Sequence, residues 1–156
     1  MSLSRVREHK SENERALGIV VTRCTLKEAD QDAVSNKYGM ANGRTFATWL
    51  RSLNYLRNVC AHHSRLWNRN MAVQPKKPGA GEVPVFSTAW DDNHVQARAF
   101  LLLCIAQHML TRINPSSSWW LRVKAHLHTF PDLGSMGLNL WGMGVMDGWD
   151  EWEFNI

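Results

Sequence analysis

Apolar residues recur at the three- and four-residue spacing of an amphipathic helix in four stretches of this chain. We predict helices at residues 26–38, 44–67, 92–113 and 116–128. The third stretch has the clearest buried stripe, made of Val95, Ala99, Leu102, Leu103, Ala106, Met109, Leu110 and Ile113. This succession of helices predicts an all-α fold, a bundle of about four helices.

Signals at the boundaries support three of these helices. Thr25 and Glu28 form a capping box for the first helix, and Gly39 suits the position just after its last turn. Asn114-Pro115 stops the third helix, and Phe130-Pro131-Asp132 terminates the fourth.

Two segments do not show a helical pattern. Residues 70–92 contain the breaker cluster Lys76-Lys77-Pro78-Gly79-Ala80-Gly81, which predicts a long linker with room for a short extended piece at residues 83–86. Residues 134–156 have no clear period and predict an irregular tail. Five of the eight tryptophans follow residue 118, and their large rings favour packing in a core or interface over base stacking. We expect one domain, residues 1–156.

Charge and cysteine content narrow the class of protein modestly. A net charge of +4 and a pI of about 9.2 permit a polyanionic partner such as RNA without requiring one. Cys24, Cys60 and Cys104 form no CxxC pair, which favours a reducing, cytoplasmic setting in which they are small core residues. There is no signal-peptide pattern, and the longest apolar run, residues 99–106, is too short to span a membrane. We expect a soluble protein.

The helix predicted at residues 44–67 separates into an apolar face and a polar face when its residues are placed 100° apart. The polar face concentrates Arg57, Asn58, His62, Arg65 and Arg69, whereas Leu53, Leu56, Val59, Cys60, Leu66 and Trp67 lie opposite. No Asp or Glu occurs from residue 33 to residue 81. A polar face without acids, rich in arginine, predicts an anion-binding surface, because guanidinium groups match phosphate oxygens.

These side chains are sufficient for a metal-free cleavage of RNA. His62 can accept the proton of a ribose 2′-OH or give one to the leaving oxygen, and Arg57 can stabilise the charge that builds on the phosphate. Asn58 adds neutral hydrogen-bonding capacity. Such a reaction would leave a 2′,3′-cyclic phosphate and a 5′-OH, and would spare DNA. The alternative interpretation is a structural Arg–Asn–His hydrogen-bond network on a helix.

The remaining histidines do not have the spacing of a metal site. His63 falls on the apolar side of the predicted helix, so we expect it to be packed or to orient a neighbour. The pairs His62-His63 and His126/His128 lack the helical i, i+4 spacing and nearby Cys or carboxylate that zinc sites favour. We therefore expect neither a metal ion nor a cofactor.

The residues around His62 resemble a known family. Arg57-Asn58-Val59-Cys60-Ala61-His62 is similar to the R-x4-H motif of HEPN domains, in its R-N-x-x-A-H form. The longer string from Leu53 to Arg69 resembles the bacterial Abi-like (abortive infection, AbiD/AbiF type) family. Further similar pieces are Lys37-Tyr38-Gly39-Met40, Ile113-Asn114-Pro115 with Trp119, and Met143-Gly144 with Trp149.

The resemblance implies a HEPN-like helical bundle that dimerises through the motif helix, and metal-independent RNA cleavage in phage defence or toxin-like growth arrest. Arg57 and His62 match the two named motif positions and would be catalytic, with Asn58 positioning. Arg51, Arg65 and Arg69 would bind the RNA backbone. The implied partners are RNA, a second copy of the chain, and an antitoxin protein or RNA.

Family members usually carry an N-terminal helical half before this region. The resemblance therefore implies that residues 1–156 correspond to the C-terminal portion of a typical member. Two alternatives to an active nuclease follow: a non-catalytic HEPN module that binds RNA or protein, and a truncated inactive remnant.

Overall fold

Five α-helices, joined by turns and short 3₁₀ helices, form the part of the chain that the computed structural model describes, residues 28–131 and 133–154. They are α1 (Glu28–Asn36), α2 (Gly43–Ala61), α3 (Asn93–Gln96), α4 (Ala99–Ile113) and α5 (Trp119–His128). Helix α1 packs on α2, and α2 packs on α4. These residues contain no strand beyond an isolated bridge between Leu133 and Leu138, so the all-α prediction is confirmed.

Helix α1 ends at the predicted glycine. The N–H of Gly39 donates to the carbonyl of Asn36, and the N–H of Met40 donates to that of Ser35. These two bonds form a Schellman motif, which requires a left-handed residue, and Gly39 has φ +76°. The predicted N-cap, Thr25, lies outside the described residues, as does Cys24.

Helix α2 ends six residues earlier than predicted, at Ala61 rather than near residue 67. The N–H of His63 donates to the carbonyl of Cys60, and the N–H of Ser64 donates to that of Val59. This is a second Schellman motif, but here the left-handed position, with φ +51°, is occupied by His63 instead of glycine. The sequence lacks the usual Gly or Pro signal for this end.

Contacts far along the chain hold the segment after α2 out of the helical path. The indole Nε1 of Trp67 donates to the carbonyl of Asn139 at 2.8 Å, and the N–H of Asn68 donates to that of Gly142 at 2.9 Å. The N–H of Met71 donates to the carbonyl of Ala97 at 2.8 Å. Backbone groups bonded to distant partners cannot also bond within a continued helix.

The predicted linker contributes to the core instead of only crossing it. Residues Pro84–Trp90 form a 3₁₀ helix, where an extended piece was expected. The backbone is kinked at Phe86, with φ −123° and ψ 33°, and Val83, Phe86, Ala89 and Trp90 are buried. The Trp90 ring stacks on that of Trp49 in α2 at 6.0 Å. The prolines and glycines of residues 70–92 predicted a linker, although the apolar residues of a core segment are present there.

The third predicted helix is divided into α3 and α4. Asp92 caps α3 at the predicted start, since its carboxylate accepts the N–H of His94 and Val95. Arg98 then takes an extended conformation, φ −113° and ψ 166°, before α4 begins. Gly144 lies directly against this break, where a Cβ would come within 2.7 Å of the Arg98 Cβ.

Helix α4 is buried on more sides than the predicted stripe allowed. Ile113, placed in that stripe, is 65% exposed at the end of the helix. The fully buried positions include some outside the stripe, namely Phe100, Leu101, Cys104 and Ile105. A helix enclosed by neighbours on several sides loses the one-sided pattern from which the stripe was inferred.

Helix α5 and the tail close the core. Helix α5 begins after Ser118 as predicted and ends at His128. The tail consists of turns and three short 3₁₀ helices, Gly134–Met136, Leu140–Met143 and Trp149–Glu151. Trp149 is buried and meets Phe100 edge-on, which confirms the packing role predicted for this ring. None of the helices in the described part of the chain combines the length and apolar character that crossing a membrane requires.

Candidate functional site

Helix α2 is fixed at its N-terminal end by two polar side chains. The side chain of Asn42 accepts the N–H of Thr45, and the carboxylate of Asp32 in α1 accepts the N–H of Gly43 at 2.7 Å. Both bonds satisfy N–H groups that the first turn of a helix leaves free. The inward face then packs Phe46, Trp49, Ser52, Leu56 and Val59 against the core.

The opposite face of α2 forms an outward row. Arg44, Arg51 and Asn58 recur every seven residues, so they lie nearly above one another, and His62 follows Asn58 by one turn. Arg44 forms an ion pair with Glu28 of α1. Arg51 is exposed and lies about 10 Å from Asn58 along the helix axis. The row has no acidic residue of its own.

Arg57 lies beside this row and is half-buried. Its guanidinium Nη1 donates to Oδ1 of Asn58 at 2.9 Å. A neutral amide acceptor orients the guanidinium without cancelling its charge, so Arg57 keeps its ability to bind an anion.

His62 is the C-cap residue of α2 and is exposed. Its backbone N–H donates to the carbonyl of Asn58 at 3.1 Å, which ties the residue to the last turn. The structure thus places Arg57 and Asn58 in contact and His62 one turn beyond Asn58, at the end of the same helix, with Arg51 on the same row. An imidazole, a guanidinium and an amide in this arrangement can exchange a proton and hold a phosphate.

Other predicted positions differ from the structure. Because α2 ends at Ala61, Arg65 and Arg69 do not extend its polar face as predicted. Arg65 instead lies over the Trp67 ring, with its guanidinium carbon 5.8 Å from the ring centroid. Arg69 is half-buried in the following turn.

His63 and Cys60 correct two further predictions. His63 is exposed, not packed, since the turn that ends α2 rotates it away from the apolar face. Cys60 is exposed at the end of the helix, whereas Cys104 is a core residue as predicted. Burial raises the pKa of the Cys104 thiol well above its ordinary value.

A cavity of about 710 Å³ adjoins the segment after α2 and was missed by the sequence reasoning. Leu66 contributes to its wall, together with residues of α4, α5 and the tail. A signal for it exists in the sequence: residues 93–131 contain no Asp or Glu, like residues 33–81. Within the described ranges, no three His, Cys, Asp or Glu side chains come together as metal ligands would.

Comparison with known proteins gives one match. Residues 20–68 match a family model described as Abi-like protein, and this segment contains α1, α2 and the turn up to Asn68. No curated protein and no solved structure matches the chain. The match therefore covers Arg51, Arg57, Asn58 and His62 but stops before Arg69 and before most of the cavity wall.

Proposed function

The chain is Abi-like over residues 20–68, and from this premise we propose that it is a metal-independent endoribonuclease of bacterial phage defence. In this proposal residues 57–62 are a HEPN R-x4-H motif. Arg57 and His62 are the catalytic residues and Asn58 positions Arg57. Arg51 binds the backbone of the RNA next to the cleaved bond, with weaker contributions from Arg65 and Arg69.

The reaction needs one proton removed and one proton supplied. His62 accepts the proton of the ribose 2′-OH as that oxygen attacks the neighbouring phosphorus. The bond from phosphorus to the 5′-oxygen breaks, and this oxygen takes a proton from an imidazolium, that of His62 in a second copy. Arg57 stabilises the added negative charge on the phosphate. The products are a 2′,3′-cyclic phosphate and a 5′-OH.

One observation carries this proposal: Asn58 holds Arg57 at 2.9 Å, and an exposed histidine follows Asn58 by one turn, on a helix end without acidic residues. On a merely solvated helix face, acidic side chains commonly alternate with basic ones. From residue 33 to residue 81 the chain has eight Lys and Arg and no acid. Arg44 and Lys77 pair with Glu28 and Asp91 from outside this stretch, so the positive charge available to an anion comes from the other six.

A homodimer through α2 completes the proposed site. In a single chain the outward row is open to solvent, and water weakens the electrostatic stabilisation on which the reaction depends. A second copy facing the row would exclude water and supply the second histidine. The RNA phosphate would separate the two positive surfaces, and an antitoxin protein or RNA could occupy the same surface to silence it.

A second candidate function is a non-catalytic module that binds RNA or a protein partner. It is favoured by the His62 ring, which has no hydrogen-bond partner among the residues that the structure describes. A general base is usually oriented by a neighbouring group, as in the established triads. A truncated, inactive remnant is the third possibility, and the same experiment separates all three.

The test is RNA cleavage in EDTA. Wild type, His62→Ala and Arg57→Ala are compared with His63→Ala, a matched control because His63 is the adjacent exposed histidine. We expect cleavage that survives EDTA, is lost in the first two variants and persists in the control. Cleavage that requires a metal ion would contradict the mechanism. RNA binding without cleavage would support the module, and neither activity would support the remnant.

A further inference from the structure

The cavity beside the segment after α2 is bounded mainly by helix α5 and by the turn that follows it. Its volume of about 710 Å³ falls in the range of small-ligand sites. Two aromatic rings, Trp119 and Phe130, contribute to the wall, and both are partly exposed.

The charge of the wall favours an anionic ligand. None of the lining residues is acidic, and Arg122 and His126 lie among the apolar ones. Except for Met143, every lining residue comes from one of the two stretches without Asp or Glu, residues 33–81 and 93–131. These stretches together hold 12 of the 18 Lys and Arg residues of the chain. An apolar cavity inside a positive surface suits a flat, apolar group attached to phosphate.

The cavity is connected to the proposed catalytic residues through the segment after α2. Leu66 follows His62 by four residues, which limits the separation of their Cα atoms to about 14 Å. The Trp67 ring stacks on Phe130 of the cavity wall, with 6.4 Å between the ring centroids. The guanidinium carbon of Arg65 lies 5.8 Å from the Trp67 centroid. A strand of RNA at His62 could therefore continue to the cavity along residues 62–66.

We propose that this cavity binds an unpaired base of the RNA substrate, a few nucleotides from the cleaved bond. The base packs against Trp119 and Phe130, and Arg122 contacts the adjoining phosphate. The chain would then act on single-stranded RNA, because a base in a duplex cannot enter. The inference rests on the proposed function for the identity of the ligand. The competing occupant is an apolar side chain of a second copy.

Binding is measured separately from cleavage to test this. In a His62→Ala background, fluorescently labelled single-stranded RNA oligonucleotides are titrated with protein, together with a set in which each nucleotide in turn is abasic. Val123→Trp fills the cavity. Leu121→Trp is the matched control, because Leu121 is 70% exposed on the same helix and does not line the cavity. Thermal melting verifies that both variants fold.

We expect Val123→Trp to weaken binding of intact RNA about tenfold or more, the worth of one stacked base, and Leu121→Trp to leave it unchanged. In Leu121→Trp, an abasic nucleotide at one position of the RNA should weaken binding by the same factor. In Val123→Trp, that abasic position should weaken binding no further. Arg122→Glu should also weaken binding, so the inference can still be tested if Val123→Trp does not fold.

Three results would overturn the inference: equal affinities in the two tryptophan variants, no sensitive abasic position, or loss of a dimer in Val123→Trp with RNA affinity intact. The last would assign the cavity to a second copy. Base-dependent binding in a protein that never cleaves RNA would leave the inference standing while the proposed nuclease function failed.

Discussion

The guanidinium of Arg57 and the side-chain oxygen of Asn58 form a 2.9 Å hydrogen bond between adjacent residues of one helix. Adjacent positions on a helix point about 100° apart, so the long arginine side chain must bend around the helix to make this contact. Its charged end is thereby moved from the half-buried flank of α2 onto the outward row that leads to His62.

Substitutions at Asn58 should show whether cleavage depends more on the position of the Arg57 guanidinium or on its charge. Asn58→Asp keeps an acceptor in place but pairs Arg57 with a carboxylate, so we expect a loss of RNA cleavage similar to that of Arg57→Ala, about 10²- to 10³-fold. Asn58→Ala frees the guanidinium but leaves its charge, and should lose less. Single-turnover cleavage rates measure both, and a fully active Asn58→Asp enzyme would remove Arg57 from the mechanism.

His63→Gly should stabilise the protein by about 0.5–1 kcal/mol. The left-handed conformation costs an L-residue about 1–2 kcal/mol, which exceeds the extra entropy that glycine loses on folding. Urea denaturation measures the free energy of unfolding. His62→Gly is the control, since His62 has φ −91° and should only be destabilised by the change. A destabilised His63→Gly would mean that the imidazole makes a stabilising contact.

Gly43→Ala should destabilise the protein by about 1–3 kcal/mol, the usual cost of overpacking. An added Cβ would lie 2.5 Å from the backbone carbon of Gln31, so α1 would have to move away from α2. Gly79→Ala is the comparison, because its Cβ would meet a side-chain end, the Glu82 carboxylate, which can shift at the cost of its hydrogen bonds with Gly79 and Ala41, so we expect a smaller loss. Thermal melts that shift equally in both variants would contradict the close packing of α1 on α2.

Stability should fall as the pH drops below the ordinary histidine pKa of about 6.5, because of His108. Burial lowers the pKa of His108, and nearby Arg112 lowers it further, although the 2.7 Å hydrogen bond that Nε2–H donates to the Tyr38 carbonyl opposes the shift. Below that pH the unfolded state binds a proton that the folded state does not, so folding is penalised; above it the full stability is present.

The check is urea denaturation at several pH values between 7.5 and 5.5. His108→Gln keeps a donor for Tyr38 but cannot titrate there, so its stability should decline less over this range than that of wild type. Parallel curves for the two proteins would show that protonation of His108 is not what couples pH to stability.

Local signals predicted those parts of the fold that depend on few residues. Gly39 ended α1 and Asp92 began α3 as expected, since a cap is satisfied by groups within one turn. The end of α2 could not be predicted in this way. The groups that hold Trp67 and Asn68 belong to residues 139–142, about seventy positions later, and only the folded chain brings them together.

The candidate site was predictable to the same extent. Arg57 and Asn58 precede the end of α2 and His62 caps it, so regular helical spacing sufficed to predict the order of the three along the helix. Arg65 and Arg69 follow that end, and their predicted places on the polar face were wrong. The cavity depends on the meeting of α4, α5 and the turn after α2, for which the sequence offers only the shared lack of acids.

The attachment of Trp67 to Asn139 and Gly142 divides the site between two regions of the sequence. Residues 20–68 match the Abi-like family model, yet the last two of them, Trp67 and Asn68, are held by a tail beyond that match. Proteins that share helix α2 and differ in the tail should therefore present the same proposed catalytic groups beside a differently shaped surface. Substrate choice could then diverge among them while the chemistry stayed constant.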